Sequence, residues 1–253
     1  MPSKKKTKKI FRYISDNYFS DNEGKSSFEF YNSRFFLIRY YAYMPFIYVL
    51  KKINFDENYR ILDVGCADGP FLPTLNYYAK NIVATDINKE LIDRSNYIVK
   101  NLLFKSKKIN LLTSDGQALP FRNESFNLIF CLEVLEHVKD PRIVIEEICR
   151  ILKRKGTFIS TVPVEIGPSL LMREFIGRIT NFHRPPYTKK ELIQSALLKN
   201  PGPRTLENPH KNFDWRIINK EVRHFFKKIE LEFIPINILR DFNPLVLIKA
   251  IKR

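Results

Sequence analysis

The feature that most constrains the fold of this chain is a nine-residue stretch from Ile61 to Gly69, with the sequence ILDVGCADG. It predicts a buried strand that runs into a Gly-rich turn, and residues 70–75 predict the start of a helix. Glycines 65 and 69 permit positive φ and leave no Cβ between the backbone and a ligand. The turn and the helix N-terminus can therefore bind an anionic group, although dinucleotide enzymes use the same arrangement.

Three further segments show an apolar strand followed by polar residues. Residues 82–87 include Asp86, about twenty residues past the turn, where a carboxylate can accept both hydroxyls of a ribose. Residues 109–121 hold a strand followed by Asp115, and residues 126–132 lead into a third polar group at 133–137. Open α/β sheets bind ligands at the carboxyl ends of their strands. The alternation up to Pro163 thus predicts a parallel sheet with right-handed crossovers and a ligand site at one edge.

Over roughly residues 55–163 this series resembles the class I S-adenosylmethionine-dependent methyltransferases of the small-molecule kind. The stretch CLEVLEHV at 131–138 resembles the quinone-precursor O-methyltransferases in particular. The resemblance implies an α/β fold: a Rossmann-like, doubly wound, seven-stranded mixed sheet with the last strand antiparallel. It also implies S-adenosylmethionine as the cofactor.

The resemblance further implies the residues that bind this cofactor. They are Asp63, Gly65, Cys66, Ala67 and Gly69 around the methionine part, Asp86 at the ribose, Ile87, Asp115, Gly116 and Gln117 at the adenine, and Leu132 under the sulfonium. Ala67 stands where the family usually has glycine. Because a methyl group is small, we expect binding to survive with a slightly shifted turn.

A catalytic base can be assigned from the chemistry. Methyl transfer is an in-line displacement with an activated leaving group, so the enzyme mainly positions the nucleophile and excludes water. An oxygen nucleophile must also lose a proton, and a histidine can take it. Of the four histidines, His137 is the candidate because it follows the fourth strand end. His183 and His210 are expected in the segment above the substrate, and His224 is expected to be structural.

A metal site is an alternative for the same residues. Glu133, Glu136 and His137 are spaced i, i+3 and i+4, so on a helical turn they share one face and can hold a divalent cation. The other interpretation is a helix start, in which the two acids favour the N-terminal dipole and His137 packs against the cofactor. We adopt the helix start and predict no metal site.

The chain divides into a basic tail and aromatic helical lead-in at residues 1–54 and a methyltransferase domain at 55–253. Within the domain, residues 164–212 form an insert that we expect to be a substrate lid. The aromatic segment 35–50 is too short to span a bilayer and is interrupted by Arg39 and Pro45. A helix pair that closes over the cofactor is expected there, with peripheral membrane contact as the alternative. Helices are predicted at 141–153, ended by Gly156, and at 169–179 and 214–226.

The composition of the chain indicates its cellular compartment and the kinds of partner that it can attract. The formal net charge of +16 includes a basic cluster at residues 4–12, and such a surface attracts nucleic acid, anionic lipid or acidic substrates without specificity. Three cysteines without metal-site spacing indicate a reducing setting, and the start does not have the form of a signal peptide. We therefore expect a cytoplasmic protein.

Three functions of different class fit these observations. The favoured one is methylation, at oxygen, of a small-molecule acceptor of anionic, sugar or lipid-linked type. The second is RNA methylation, suggested by the charge but lacking an Asn/Asp-Pro-Pro-aromatic motif after the fourth strand. The third is a non-catalytic, cofactor-binding partner subunit. A nicotinamide oxidoreductase is disfavoured, because the turn lacks the spaced three-glycine pattern.

Overall fold

A central β-sheet organises the chain, and its strands alternate with helices as the sequence predicts. The fold is given by a computed structural model, which describes residues 31, 33–102, 109–180, 187–199, 202 and 210–253. The basic cluster at residues 4–12 and His183 lie outside these residues. The predicted division of the chain at residue 54 stays a prediction.

The described residues form seven strands, seven α-helices and one short 3-10 segment. The strands are β1 Arg60–Val64, β2 Asn81–Asp86, β3 Ile109–Thr113, β4 Phe126–Leu132, β5 Leu152–Pro163, β6 Lys228–Ile234 and β7 Leu245–Ile251. The helices are α1 Phe36–Lys51, α2 Leu72–Tyr78, α3 Lys89–Leu102, α4 Pro141–Ile151, α5 Ser169–Thr180, α6 Lys189–Ala196 and α7 Trp215–Phe225, with the 3-10 segment at Asn237–Phe242.

The strand order is β3-β2-β1-β4-β5-β7-β6, and the predicted seven-stranded mixed sheet is confirmed. Strands β1 to β5 pair in parallel, whereas β7 pairs antiparallel with both β5 and β6. The order reverses between β1 and β4, and such a switch point opens a crevice at the carboxyl ends of the strands. The ligand site that the sequence predicts at the carboxyl ends of the strands therefore coincides with this crevice.

Apolar side chains cover both faces of the sheet, as a doubly wound fold requires. One buried cluster includes residues of α4 and α7, such as Val144, Ile148 and Val222, on the first face. The second includes Val49 of α1 and Leu75 of α2 on the other face. Helix α1 therefore packs into the same core as the strands, although its sequence lies before the first of them.

Two local predictions differ from the structure. Helix α4 ends at Ile151 instead of residue 153, and the prediction that Gly156 ends this helix is wrong, because residues 152–156 lie in β5. Leu152 is fully buried and pairs with Phe126 of β4, so burial in the sheet outweighs the local helix-ending signal. Helix α6 was not predicted, although it begins with a capping box formed by Thr188 and Glu191.

A charged pair on α4 fixes the segment between β3 and β4. Arg150 donates from Nη1 to the Phe121 carbonyl at 2.8 Å and from Nη2 to the Leu119 carbonyl at 3.0 Å. Its Nε donates to Glu147 Oε1 at 2.8 Å, and Glu147 Oε2 accepts from the Leu119 amide at 3.0 Å. This pair therefore holds the segment that follows Asp115 against the first face of the sheet.

We expect Arg150→Ala to lower the free energy of unfolding by about 2 kcal/mol, because it removes several charge-assisted hydrogen bonds to backbone carbonyls. The matched control is Arg142→Ala on the same helix, whose side chain is 56% exposed and lies 3.9 Å from Glu221. The control should change stability by less than about 0.5 kcal/mol. Urea denaturation measures both, and equal losses would contradict this account of the segment.

Candidate cofactor and acceptor site

The turn between β1 and α2 has a shape that only glycine fits at its first position. Gly65 has φ +72° and Gly69 has φ +83°. A Cβ on Gly65 would lie 2.4 Å from Cγ2 of Val134, which leaves no room for a side chain. The Gly65 and Cys66 amides donate to the Thr85 carbonyl at 2.7 and 2.9 Å. The turn is therefore anchored to β2 on one side and closed by the chain after β4 on the other.

Ala67, which replaces a usual glycine, adopts the left-handed conformation with φ +49°. Its amide donates to Asp86 Oδ2 at 2.9 Å, and its carbonyl accepts from Ser95 Oγ at 2.9 Å. These two bonds hold a conformation that a residue with a Cβ adopts only at some cost. The turn thus keeps its shape with alanine, and Asp86 supports it directly.

Two carboxylates face the same small region beside this turn. The Asp63 side chain is buried, and burial together with the negative charge of Asp86 raises its pKa to about 8. Asp86 accepts from the amides of Ala67 and Asn88, each at 2.9 Å. A buried carboxylate that resists ionisation in this way is stabilised by a cationic ligand.

The predicted adenine-side residues come together at the ends of β2 and β3. Ile87 directly follows Asp86 and is 69% exposed, so it offers an open apolar surface. The Ser114 amide donates to the Asp86 carbonyl at 2.9 Å, which joins the two strand ends. Asp115 Oδ1 accepts from the Gln117 amide at 2.8 Å, and Gly116 lies between them.

Tyr31, which precedes helix α1, is buried near the carboxylates of this region. Burial raises the pKa of Tyr31, and the negative charges of Asp68, Glu133 and Asp63 raise it further. The Tyr31 ring lies 5.0 Å from the ring of Tyr43, measured between centroids. Tyr31 and Tyr43 therefore pack beside the candidate site, and the helix pair expected to close over the cofactor stays a prediction.

The chain after β4 forms a turn and not the start of a helix. Leu132 ends β4, Glu133 has φ +56°, and the His137 amide donates to the Val134 carbonyl at 2.8 Å. Helix α4 begins only at Pro141, capped by the Asp140 carboxylate. The predicted helix start at Glu133 is therefore wrong, and the shared helical face of residues 133, 136 and 137 does not form.

A different group of side chains surrounds His137. Its Nε2 lies 3.8 Å from Oε1 of the fully buried Glu136. His210 packs edge-on against it, with ring centroids 4.9 Å apart. Donor atoms of Glu136, His137 and His210 lie within 4.8 Å of one another. The sequence placed His210 in the segment above the substrate but gave it no role in this group.

Glu165 ties His210 and helix α5 to the end of β5. Its fully buried carboxylate accepts from Arg173 Nη1 at 2.6 Å and from Arg173 Nη2, and His210 Nδ1 lies 3.4 Å from Oε1. Burial disfavours the charged guanidinium, but Glu165 outweighs burial and raises the pKa of Arg173 above its ordinary value. The rule that polar residues at strand ends form the site also applies to Glu165, which the sequence analysis did not select.

Known proteins are similar to the part of the chain that forms this edge. A family model described as a methyltransferase domain matches residues 62–160. An uncharacterised protein of Methanocaldococcus jannaschii is 34% identical over 139 residues, which are 54% of this chain and 54% of that protein. A ubiquinone biosynthesis O-methyltransferase of Coxiella burnetii is 32% identical over 108 residues, 41% of this chain and 43% of that enzyme.

Over residues 62–160, from β1 to β5, the chain is similar to a methyltransferase domain. It spans about half the length of the curated relatives it matches. The structure of PH0226 protein from Pyrococcus horikoshii OT3 has a TM-score of 0.59 at 19% identity, covering 88% of this chain and 93% of that one. A SAM-dependent methyltransferase from Aquifex aeolicus has a TM-score of 0.54 at 16% identity, covering 82% and 89%. At these identities the structural likeness establishes the fold.

The residues present fit the cofactor of this domain, S-adenosylmethionine. The buried Asp63 carboxylate suits a cationic ligand, because positive charge nearby favours its ionised form. Exposed Ile87 suits a flat apolar ring. Which of these residues bind the cofactor stays a prediction from the sequence.

The raised pKa of Asp63 predicts a pH dependence of binding. S-Adenosylhomocysteine should bind more tightly as pH rises from about 6 to about 8, by up to about tenfold per pH unit, because below a pKa of about 8 the carboxyl must first lose its proton. Asp63→Asn should bind weakly with no such slope. Isothermal titration calorimetry in two buffers of different ionisation heat detects the released proton. An unchanged slope in Asp63→Asn would contradict this assignment.

Proposed function

We propose that this protein transfers the methyl group of S-adenosylmethionine to an oxygen of a small-molecule acceptor and that His137 accepts the acceptor's proton. The observation that carries the proposal is the position of His137 in the turn after β4, beside the buried carboxylate of Glu136 and the imidazole of His210. When bound, the cofactor supplies a methyl group on a positive sulfur, which is already activated for displacement. The residues of this chain then need only bind the acceptor, orient it and take its proton.

The turn after β4 presents His137 to the crevice. The His137 side chain is 48% exposed, whereas Glu136 beside it has no exposed surface. A buried carboxylate next to an imidazole offsets the positive charge that the ring gains when it takes a proton. The geometry therefore suits a general base whose ring faces an acceptor while its charge is balanced from behind.

The lid completes the acceptor region. Arg173 of α5 and His210 both meet the buried carboxylate of Glu165, so the segment after β5 is held against the sheet at the same edge as His137. His210 packs against the His137 ring and limits its rotation. Holding the base in one orientation and covering the crevice against water are what a displacement at carbon requires.

Relatives support an acceptor of small-molecule size. The matched part of the chain resembles the ubiquinone biosynthesis O-methyltransferase, and it is 30% identical over 112 residues to a sterol 24-C-methyltransferase of Clavispora lusitaniae. The second match covers 44% of this chain and 30% of that enzyme. These names favour an acceptor of quinone or sterol type over RNA, and the first favours oxygen as the modified atom.

The proposal is tested by supplying S-adenosylmethionine together with cell extract that has been separated into lipid, small-molecule and RNA pools. The quantity measured with each pool is the release of S-adenosylhomocysteine. The Gly65→Arg variant is the matched negative control, because its side chain meets Val134 in the turn. Turnover with the lipid or small-molecule pool supports the proposal. Turnover with RNA alone, joined by a salt-sensitive gel shift, supports the RNA alternative, and no turnover supports a non-catalytic subunit.

His137→Ala should lower kcat by about 100-fold to 10,000-fold, the usual contribution of a general base. Affinity for S-adenosylhomocysteine should change by less than about threefold, because the ring acts on the acceptor and not on the cofactor. His224→Ala is the matched control, since His224 lies on α7 and should leave both quantities unchanged. If steady-state kinetics showed undiminished kcat in His137→Ala, His137 would not be the base.

A further inference from the structure

Helices α5 and α6 of the lid expose an unusual amount of apolar side chain. Leu171, Met172 and Phe175 are exposed on α5, where positions 171, 172 and 175 share one face of the helix. Ile193 is exposed on α6 and Leu197 is exposed directly after its end, and the two helices pack against each other. Phe175 and Leu197 are 65% and 64% exposed, so these side chains lie in solvent instead of filling the lid's own interior.

Two neighbouring segments add to this surface. Phe36 and Leu37 are exposed at the start of α1, and Ile238 and Phe242 are exposed on the 3-10 segment, with Ile238 at 86%. We call the exposed apolar side chains of residues 36–37, 171–175, 193–198 and 236–242 the apolar rim. It holds twelve of the eighteen large apolar side chains that are exposed among the described residues.

Contacts place the segments of the apolar rim beside one another. A Cβ on Gly167, just before α5, would lie 2.8 Å from the Asp241 carbonyl of the 3-10 segment. Tyr41 of α1 lies near enough to Arg173 of α5 to contribute to its raised pKa, so α1 lies beside α5. Tyr48 of α1 donates to the Pro235 carbonyl at 3.1 Å, directly before the 3-10 segment. Helix α5 and the 3-10 segment therefore lie beside α1, and α6 packs on α5, next to the end of β5.

The charge around the apolar rim has one sign. Five exposed cations flank its described segments: Arg34, Lys189, Lys190, Lys199 and Arg240. The acids of the same described segments are not exposed: Glu174 is half-buried, Asp241 accepts from Trp215 Nε1 at 3.1 Å, and Glu191 pairs with Lys211 at 2.9 Å. The exposed charged side chains beside the apolar residues of these segments are therefore cationic.

We propose that the apolar rim docks this protein on an anionic lipid bilayer. Apolar side chains that enter the headgroup region and lysines or arginines that meet anionic headgroups together give peripheral binding. A second copy of the chain fits less well, because two cationic margins would repel each other. The basic cluster at residues 4–12 has the same sign and does not complement the rim either.

This surface also limits the chemical class of the acceptor. That inference rests on the proposed function. The apolar rim lies on the lid and on two segments beside it, so a bilayer bound there lies next to the entrance of the acceptor region. An acceptor that leaves the bilayer can reach His137 without crossing water. The acceptor class is then a lipid or a lipid-linked molecule with a hydroxyl group.

The test compares binding of the full chain to vesicles of phosphatidylcholine alone and of phosphatidylcholine mixed with phosphatidylglycerol, measured by co-sedimentation. Binding should require the anionic lipid, weaken as salt rises, and fall by at least about tenfold in Met172→Ser/Phe175→Ser, which removes two apolar side chains from the rim. The matched control is Ile143→Ser/Ile217→Ser, which changes two exposed apolar residues of α4 and α7. Circular dichroism confirms that both variants are folded.

Several outcomes would overturn the proposal. It fails if the wild-type chain binds neither kind of vesicle, or if the control loses as much binding as Met172→Ser/Phe175→Ser. It also fails if ultracentrifugation shows a dimer that the rim variant disrupts while vesicles do not bind, or if only RNA binds. The Gly65→Arg variant should still bind vesicles but should lose turnover. This variant therefore distinguishes an error in the proposed docking surface from an error in the proposed methyltransferase activity.

Discussion

The constraint on which the rest of the site depends is the placement of two carboxylates beside a turn that has no room for a side chain. Asp86 holds the turn by accepting from the Ala67 amide, whereas burial, and after it the negative charge of Asp86, raises the pKa of Asp63 to about 8. Burial of like charges is unfavourable unless something positive balances them. The free protein therefore keeps an electrostatic cost at this edge, and a cationic cofactor relieves it on binding.

Local sequence was enough to predict the part of the site that local chain geometry creates. Asp63, Asp86 and Asp115 each follow from a strand and its end, and parallel strands necessarily bring those ends to one edge. Glu165 obeys the same rule at the end of β5. His210 does not, because it reaches His137 only through the packing of the lid on the sheet. No spacing in the sequence encodes that approach.

The two local errors have a common cause. A glycine after three basic residues indicates a helix end, yet Leu152 gains more by pairing with Phe126 in the sheet than by extending α4. Glu133 indicates a helix start, yet its amide donates to the Thr161 carbonyl of β5 at 3.0 Å. In both places a contact with a strand distant in sequence outweighs the weak preference of a few residues.

The antiparallel insertion of β7 explains why the apolar rim and the reaction site share an edge. Strand β7 begins opposite Pro163 at the end of β5, and β6 ends opposite the same residue of β7, Leu245. The connection between β6 and β7, which contains the 3-10 segment, must therefore lie at the carboxyl edge beside the lid. Had β7 run parallel to β6, their connection would have to cross the sheet to its other edge. Strand direction, which the family resemblance predicted, thus determines where exposed Ile238 and Phe242 lie, while their exposure follows from packing alone.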